Sequence, residues 1–474
     1  MSDLLTLKLA VSRGLGALSR RSGRGGTSAP GKLLIRLAPE AMGVLSARLA
    51  RGTVLISATN GKTTTAALCS EILSGSDVQV VHNHAGANMA GGVATTLLRA
   101  ARPGGRIAGE LGLFEIDELW LSSIAEELHP RWILLGNLFR DQLDRYGELE
   151  AIAESWEGVV AHTDAGLVLC ADDPLLADLG REHRQTLYFG VDDDSLALPG
   201  LAHAADAKHC RRCGAPYVFD AVYLGHLGHY HCPNCHQRRP EPAVSAGAVT
   251  LEGVRSARFT LRTPEGHAEV RLALPGLYNV YNALAAAALA HALGVPLAQI
   301  VRGLESSRPA FGRAETVMLS PTRGATGAGS PQSARAMQIM LVKNPAGANE
   351  VLRTLALEPG EHDLLGVLND QTADGRDVSW IWDADFELLA GRIRAATCSG
   401  SRAAELATRL KYAGVEPARI SVEPDLAAAL QRAARDRPPA PAPLSPLYAL
   451  PTYTAMLALR ELLVAGGEAS SAWL

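Results

Sequence analysis

The 474-residue chain lacks any apolar run approaching the roughly 18 residues that a membrane-spanning helix needs, and no signal-peptide core precedes a small-residue cleavage site. This excludes a helical membrane anchor and predicts a cytoplasmic protein. Net charge is also scarce: −4 over the whole length gives no general basic field for nucleic acid or anionic lipid, so any such contact must be local. Cysteines number seven; Cys69, Cys170 and Cys398 are scattered and the other four form two CxxC pairs, which is not a disulfide framework and fits a reducing compartment. The first 36 residues carry seven Lys or Arg against one acid, Asp3, and read as a lead-in to the first strand rather than a transit peptide or a basic surface helix.

What is present suits an α/β enzyme. The composition is 47% hydrophobic and 20% charged, and the length exceeds what one core usually organises, so two or three domains are expected. From Leu33 to about Met318, short apolar runs such as VLIS, WILLGN and GLVLC alternate with helix-length segments, the pattern of βαβ units on a parallel sheet. The pattern breaks at about Asp206, where KHCRRCGAPYVF and HYHCPNCHQRR intervene, before VTLEGVRSARFTLRT and AEVRLALPG return as alternating strands. Residues 206–240 therefore read as an insertion. SPTRGATGAGSPQSA, rich in Gly, Ser, Pro and Thr, reads as a linker, and MQIMLVK, EHDLLGVLND, AATCSG and ARISV as strands of a second α/β domain. The expected division is a lead-in over 1–40, a central domain over 41–318, a linker over 319–334 and a C-terminal domain over 335–474.

The stretch VLISATNGKTTT is the first with chemistry in it. A strand ending in small residues and Gly-Lys-Thr, followed by the helical TTTAALCSEIL, places backbone N–H groups and a helix N-terminus where a polyphosphate can sit. Thr59, Asn60, Gly61, Lys62, Thr63 and Thr64 form this loop; Lys62 would reach the β- and γ-phosphates of ATP and Thr63 would coordinate Mg²⁺. The general motif wants glycine five residues before Gly61, where Ile56 stands.

The second motif is Cys210-x2-Cys213, eighteen residues, Cys232-x2-Cys235, the spacing of a ribbon that presents four thiolates to structural Zn²⁺. Four thiolates close the site to substrate. The flanking Arg211, Arg212, Arg238 and Arg239 read as a solvated rim, and His209, His231 and His236 as exposed or supporting residues rather than ligands.

The variant loop, a small residue followed by TNGKTT, resembles the ATP loop of the Mur ligase and folylpolyglutamate synthase superfamily, with Ala58 where those enzymes usually have glycine. More of that superfamily's pattern follows in order. Glu115 in LFEIDE resembles its Mg²⁺-binding glutamate. NLFRDQLDRYG resembles its N-x-x-x-D-H-x-D segment through Asn137, Asp141 and Asp144, and LVLCADDP its N-x-D-D-P turn through Asp172, Asp173 and Pro174. LPGLYNVYNALAA resembles the helix start near the adenine through Gly276, Asn279 and Asn282, and FGRAE the segment whose arginine, here Arg313, contacts phosphate. Two departures stand out: Gln142 replaces the usual metal-binding histidine, which puts a second Mg²⁺ in doubt, and no lysine between Lys62 and Lys208 is available for the carbamylated position of relatives.

In the second domain KNPAGANEVL stands where those ligases carry a D-x-A-H-N-P segment, and NDQTADGRDVSWIWDADFE crowds Asp370, Asp374, Asp377, Asp383 and Asp385 beside Trp380 and Trp382. With GRGGTSAPGKLLIRLAP, SGSRAAELATRLKYAG and PTYTAMLALRELL, the chain resembles over nearly its whole length the MurT family, ligase-like subunits of the bacterial lipid II isoglutaminyl synthase. The resemblance implies a Mur ligase-type central ATPase domain with an inserted four-cysteine zinc ribbon, followed by a Rossmann-like C-terminal α/β domain. It implies amidation of the α-carboxylate of D-glutamate in lipid II to D-isoglutamine through an acyl phosphate, at the inner face of the cytoplasmic membrane, with ammonia from a separate GatD-like class I glutaminase in a heterodimer. The chain shows no glutaminase nucleophile of its own; Cys398 reads as core.

On this reading Lys62, Thr63, Asn279, Asn282 and Arg313 serve the nucleotide, Thr63 and Glu115 the Mg²⁺, and Asp370, Asp374 and Asp377 position ammonia or reach toward the partner. Two alternatives stand beside it: an amino-acid-adding ligase of the same superfamily, and a nucleotide-binding scaffold whose zinc ribbon docks a partner without chemistry of its own.

Overall fold

The computed structural model describes residues 7–14, 28–76, 78–83, 87–102, 106–141, 149–201, 205–308, 313–319, 334–435 and 446–469. The apolar runs of the first half become short strands, β1 (Thr53–Ser57), β2 (Val80–His82), β3 (Leu111–Glu115), β4 (Trp132–Leu135), β5 (Gly166–Cys170) and β6 (Thr186–Val191), of which β1, β3, β4 and β5 are buried at every residue. A strand without a polar face must be covered by helices on both sides, which is what parallel βαβ units supply. The ribbon hairpin β7 (Val218–Leu224) and β8 (Leu227–His231) follows, and then β9 (Val244–Leu251), β10 (Ala257–Thr263) and β11 (Gly266–Leu272).

All of these except the hairpin form one nine-stranded sheet in the order β11-β10-β9-β6-β5-β4-β1-β3-β2, parallel from β2 to β9 and antiparallel beyond. Strand β1 lies inside the sheet between β3 and β4, with Val54 opposite both Leu113 and Trp132. The chain winds one way from β1 to reach β2 and β3 and the other way to reach β4, so the carboxyl end of β1 is a switch point, where such sheets hold ligands. The helix α1 (Lys62–Ser74) leaves from it, packed against α2 (Leu277–Ala292). The stretch read as a lead-in contains a helix, Ala29–Leu37, seated on Ala90–Ala100 so closely that a Cβ on Gly31 would lie 2.0 Å from the Gly91 carbonyl oxygen.

The second half builds β12 (Arg313–Leu319), β13 (Arg335–Met340), β14 (His362–Val367), β15 (Ile393–Ser399), β16 (Ile420–Val422) and β17 (Leu447–Pro451), in the order β12-β13-β17-β14-β15-β16. Only β12 is antiparallel. Placed by sequence at the end of the central domain, β12 pairs instead in this second sheet. Helices α3 (Pro345–Ala356) and α4 (Tyr453–Ala465) follow β13 and β17. Cys398 is buried on β15, its thiol pushed up to about 12 by burial, as a packing residue would be. Among the described residues no helix is long and apolar enough to cross a membrane.

One buried carboxylate joins four elements of the first domain. Asp172, at the end of β5, accepts from the Val191 N–H (2.8 Å), from Arg239 Nε (2.6 Å) where the ribbon rejoins the sheet, and from the Tyr281 hydroxyl of α2 (2.6 Å). Its backbone carbonyl accepts from the Gly228 N–H of β8 at 2.9 Å. Asp172→Ala would leave the Arg239 guanidinium with Asp192 alone, so it should destabilise the chain by about 3–5 kcal/mol in urea unfolding. A loss under about 1 kcal/mol would show that water replaces the carboxylate at little cost.

Candidate active site

The ATP-like loop lies at the end of β1, and its glycine is required twice. Gly61 has φ +84° and ψ −6°, left-handed backbone that side chains resist, and a Cβ there would lie 1.9 Å from Asn282 Oδ1. The turn leads into α1, whose first N–H groups have no partner within the helix. Lys62 folds back toward the strand, donating to the Ala58 carbonyl at 3.0 Å and to Glu118 Oε2 at 3.1 Å. Burial acts to lower the pKa of this amine, but Glu118, Glu115 and Asp117 outweigh burial and hold it above its ordinary value, so Lys62 stays charged.

Glu115 is fixed at the end of β3 by Asn83, which accepts from its N–H and donates to its carbonyl, both at 2.8 Å. Asn88 Nδ2 donates to Glu115 Oε1 at 3.3 Å. On the other side of β1, Asn137 accepts from the Asn60 N–H and donates to the Asn60 carbonyl, both at 2.9 Å. Thr59 Oγ1 accepts from the Phe139 N–H at 3.0 Å. Asn282 Nδ2 donates to Asn279 Oδ1 (3.0 Å), and Asn279 Nδ2 to the Pro275 carbonyl (2.8 Å), so the two helix-start asparagines orient one another.

The second domain closes over this loop. Asn344 caps α3 by accepting from the Gly347 N–H at 2.8 Å, and its side-chain amide pairs reciprocally with that of Asn60, at 3.2 and 3.0 Å. Lys343 pairs with Asp141. The resulting cleft has a volume of about 1600 Å³ including its opening to solvent. Residues 59 to 64, Glu115, Asn279 and Asn282 line it from the first domain, and Lys343, Glu350 and Tyr453 from the second. Most of the residues singled out from sequence thus share one cavity.

The acids of the C-terminal loop do not line it. Asp370 accepts from Ser401 Oγ (2.7 Å) and Arg402 Nε (2.8 Å), which together hold its carboxyl below the ordinary value. Asp374 is buried, which pushes its carboxyl up, and takes the N–H and hydroxyl of Thr454 at the start of α4. Asp377 is exposed and caps the short turn Ser379–Trp382 through the Ser379 N–H at 2.8 Å. Ala373 and Tyr453 bring this loop's neighbourhood to the cleft edge. The Arg313 side chain, Gln142 and Asp144 lie outside the described residues, although Ala314, next to Arg313, lines the cleft.

Sequence reading missed Asp117 and Glu118, buried beside Glu115 within the same LFEIDE; the doubled acid was the available signal. It also missed Asn88 and Glu350, a buried acid paired with Arg353 at 2.6 Å.

In the ribbon the thiols of Cys210, Cys213, Cys232 and Cys235 lie within 4.8 Å of one another, a donor set that fits one tetrahedral Zn²⁺. Of the arginines around it, Arg211, Arg212 and Arg238 are exposed, as expected of a solvated rim, whereas Arg239 is drawn in against the sheet. Arg212 pairs with Asp178 (2.7 Å), Arg211 with Glu157 (3.1 Å), and Arg239 with Asp172 and Asp192; only Arg238 of the four is exposed without a described partner of this kind. Helix acids Glu157 and Asp178 meet Arg211 and Arg212, and acids just past β5 and β6 meet Arg239, which composition alone could not show.

Two family models match: "Mur ligase middle domain" over residues 56–216 and "MurT ligase C-terminal" over residues 341–456. The chain is 32% identical to the lipid II isoglutaminyl synthase (glutamine-hydrolyzing) subunit MurT of Streptococcus pneumoniae, with 97% of this chain and 96% of that protein covered. It is 32% identical to the subunit of the same name from Staphylococcus aureus strain N315, covering 86% of this chain and 87% of that one. Among solved structures, a pseudomurein peptide ligase type C from Methanothermus fervidus superposes with a TM-score of 0.64 at 22% identity, over 89% of this chain and 80% of that one, a likeness of fold. With identity sustained along both domains, the chain belongs to the MurT family of Mur ligase-like lipid II isoglutaminyl synthase subunits, and it is a ligase.

Proposed function

We propose that the chain uses ATP to amidate the α-carboxylate of D-glutamate in lipid II, giving D-isoglutamine, with ammonia delivered by a GatD-like class I glutaminase subunit at the inner face of the cytoplasmic membrane. The observation that carries the reading is the loop at residues 59 to 64, which opens into a cleft whose other wall is the MurT-type C-terminal domain. In the first step a carboxylate oxygen of the acceptor attacks the γ-phosphorus of ATP, forming an acyl phosphate and releasing ADP. Ammonia then attacks the acyl carbon, the C–O bond to phosphate breaks, and the surplus proton on nitrogen is lost to solvent.

The chain's part is positioning and electrostatics. The N–H groups of loop and helix receive the phosphates, Lys62 neutralises charge on the transferring phosphoryl group, and Glu118 holds the lysine in place. Asn279 and Asn282 shape the nucleotide side, with Arg313 a phosphate contact by its place in the family motif. Glu115, Asp117 and Glu118 are three buried acids against one buried lysine, an excess that fits a divalent cation. Thr63 and Glu115 would hold Mg²⁺, which supplies charge neutralisation on the phosphates. Of the C-terminal acids, the exposed Asp377 is the one free to meet ammonia or the partner subunit, while Asp370 and Asp374 set the loop that carries it. The ribbon cysteines would hold structural Zn²⁺.

Incubated with ATP, Mg²⁺ and ammonium, the chain should convert one carboxyl of a D-glutamate-containing lipid II analogue to an amide, read by mass spectrometry. Lys62→Ala should slow this by roughly a hundredfold or more and leave the bound zinc unchanged. Product that depends on an added amino acid rather than ammonium would move the chain to the amino-acid-adding ligases, and no ATP turnover under any condition would leave it a scaffold.

Cys210→Ser should release zinc and lower the thermal midpoint, because metal binding contributes directly to folding. Full zinc occupancy in that variant, measured by atomic absorption, would remove Cys210 from the ligand set.

A further inference from the structure

We propose that the tip of the ribbon hairpin is the wall against which the purine base of the nucleotide packs, so that Leu224 and Leu227 set nucleotide affinity. The proposal rests on the reading of the cleft as an ATP site.

Strands β7 and β8 pair from Val218 opposite His231, near the cysteines, to Leu224 opposite Leu227, where the chain turns through Gly225 and His226. The cysteine end faces the surface helices, and the tip is driven into the first domain: exposure falls to 5% at Leu224, 0% at His226 and 1% at Leu227. Three contacts seat it. The His226 ring lies 4.7 Å from that of Phe139, its Nε2 is 3.4 Å from Asp173 Oδ1, and the Gly228 N–H donates to the Asp172 carbonyl at 2.9 Å. A Cβ on Gly225 would meet the Phe139 ring at 2.8 Å, so the turn is seated directly against that ring.

Leu224 and Leu227 nevertheless line the cleft, together with Phe139 and Tyr281. Their place along the sheet assigns the ligand group. The phosphate loop is at the end of β1, and Glu115, with Asp117 and Glu118 just beyond it, occupies the β3 side. Phosphates on the loop, with their cation at Glu115, leave the β4 and β5 side for the rest of the nucleotide, and that side carries the hairpin tip. A flat uncharged base gains by leaving water against leucine and aromatic side chains, whereas a carboxylate or ammonia would not. The ribbon, fixed at its far end by four cysteines, therefore holds a working surface of the cleft in register.

The test is calorimetric titration of the zinc-loaded full chain with ADP, GDP and inorganic pyrophosphate. Leu224→Ala and Leu227→Ala should weaken ADP and GDP binding alike, about tenfold, with pyrophosphate binding and zinc content unchanged. Leu227→Met, which keeps most of the apolar surface, should restore ADP affinity. Equal ADP affinity in wild type and variants would overturn the base wall, and so would a loss that falls equally on pyrophosphate, because that marks a general collapse of the loop. Absence of ADP binding in the wild-type chain would instead overturn the ATP site itself.

Discussion

The site depends on how closely α2 approaches the loop at Gly61. The sequence LYNVYNALAAAALAHA buries thirteen of its sixteen residues, so α2 runs through the first domain with almost no solvent face. Alanine is what permits this, since small side chains let the backbone of α1 come near; Cys69 Sγ in α1 reaches the Ala286 carbonyl at 3.9 Å. At the N-terminal end of the contact Asn282 fills the space a Gly61 side chain would need, and Thr65 Oγ1 donates to its Oδ1 at 3.4 Å. The left-handed turn, the direction of the first helical N–H groups and the reach of Lys62 are all consequences of that one packing constraint.

The two domains meet at the cleft through polar pairs. The Asn60–Asn344 amide pair and the Lys343–Asp141 ion pair join the phosphate loop directly to the first turn after β13, and farther out Gln338 donates to the Val254 carbonyl at 2.7 Å while the Val254 N–H donates to Glu358 at 2.9 Å. Amide pairs exchange for water at a net cost of only about 1 kcal/mol each, so this junction holds a geometry without locking it. A contact of that kind would suit the proposed reaction, in which the cleft admits a nucleotide and a large acceptor.

The loop, the cysteine spacing and the alternating strands were legible in the sequence because each is a local pattern: glycine and lysine at a strand end, two CxxC pairs, apolar runs of strand length. What was not legible depends on partners distant in sequence. Arg239 looks like a solvent-facing charge until Asp172 is brought beside it. The strand at Arg313–Leu319 has no local feature that says which sheet it joins; it pairs antiparallel with β13. The acids at 370, 374 and 377 look alike in sequence, yet one is ion-paired, one is buried under Thr454 and one is exposed, because the loop turns each to a different neighbour. Glu118 was overlooked beside the more familiar Glu115, although it is Glu118 that touches Lys62.

That buried pair bears on how nucleotide and cation binding are linked in the proposed reaction. With Lys62 on Glu118, one of the three acids is balanced and the ammonium is already desolvated, so a phosphate that engages it need not strip its water. As the phosphate draws charge from Lys62, the Glu118 carboxylate loses part of its counterion in a place where water is scarce, and Glu115 and Asp117 add to the imbalance. In the proposed reaction a divalent cation carried by the nucleotide would offset this deficit. Phosphate alone would then bind against a growing electrostatic cost, and cation alone would compete with a lysine already in place, whereas the two together leave every buried charge paired. On the proposed reading, the arrangement of three acids around one lysine would thus favour the metal–nucleotide complex over either component.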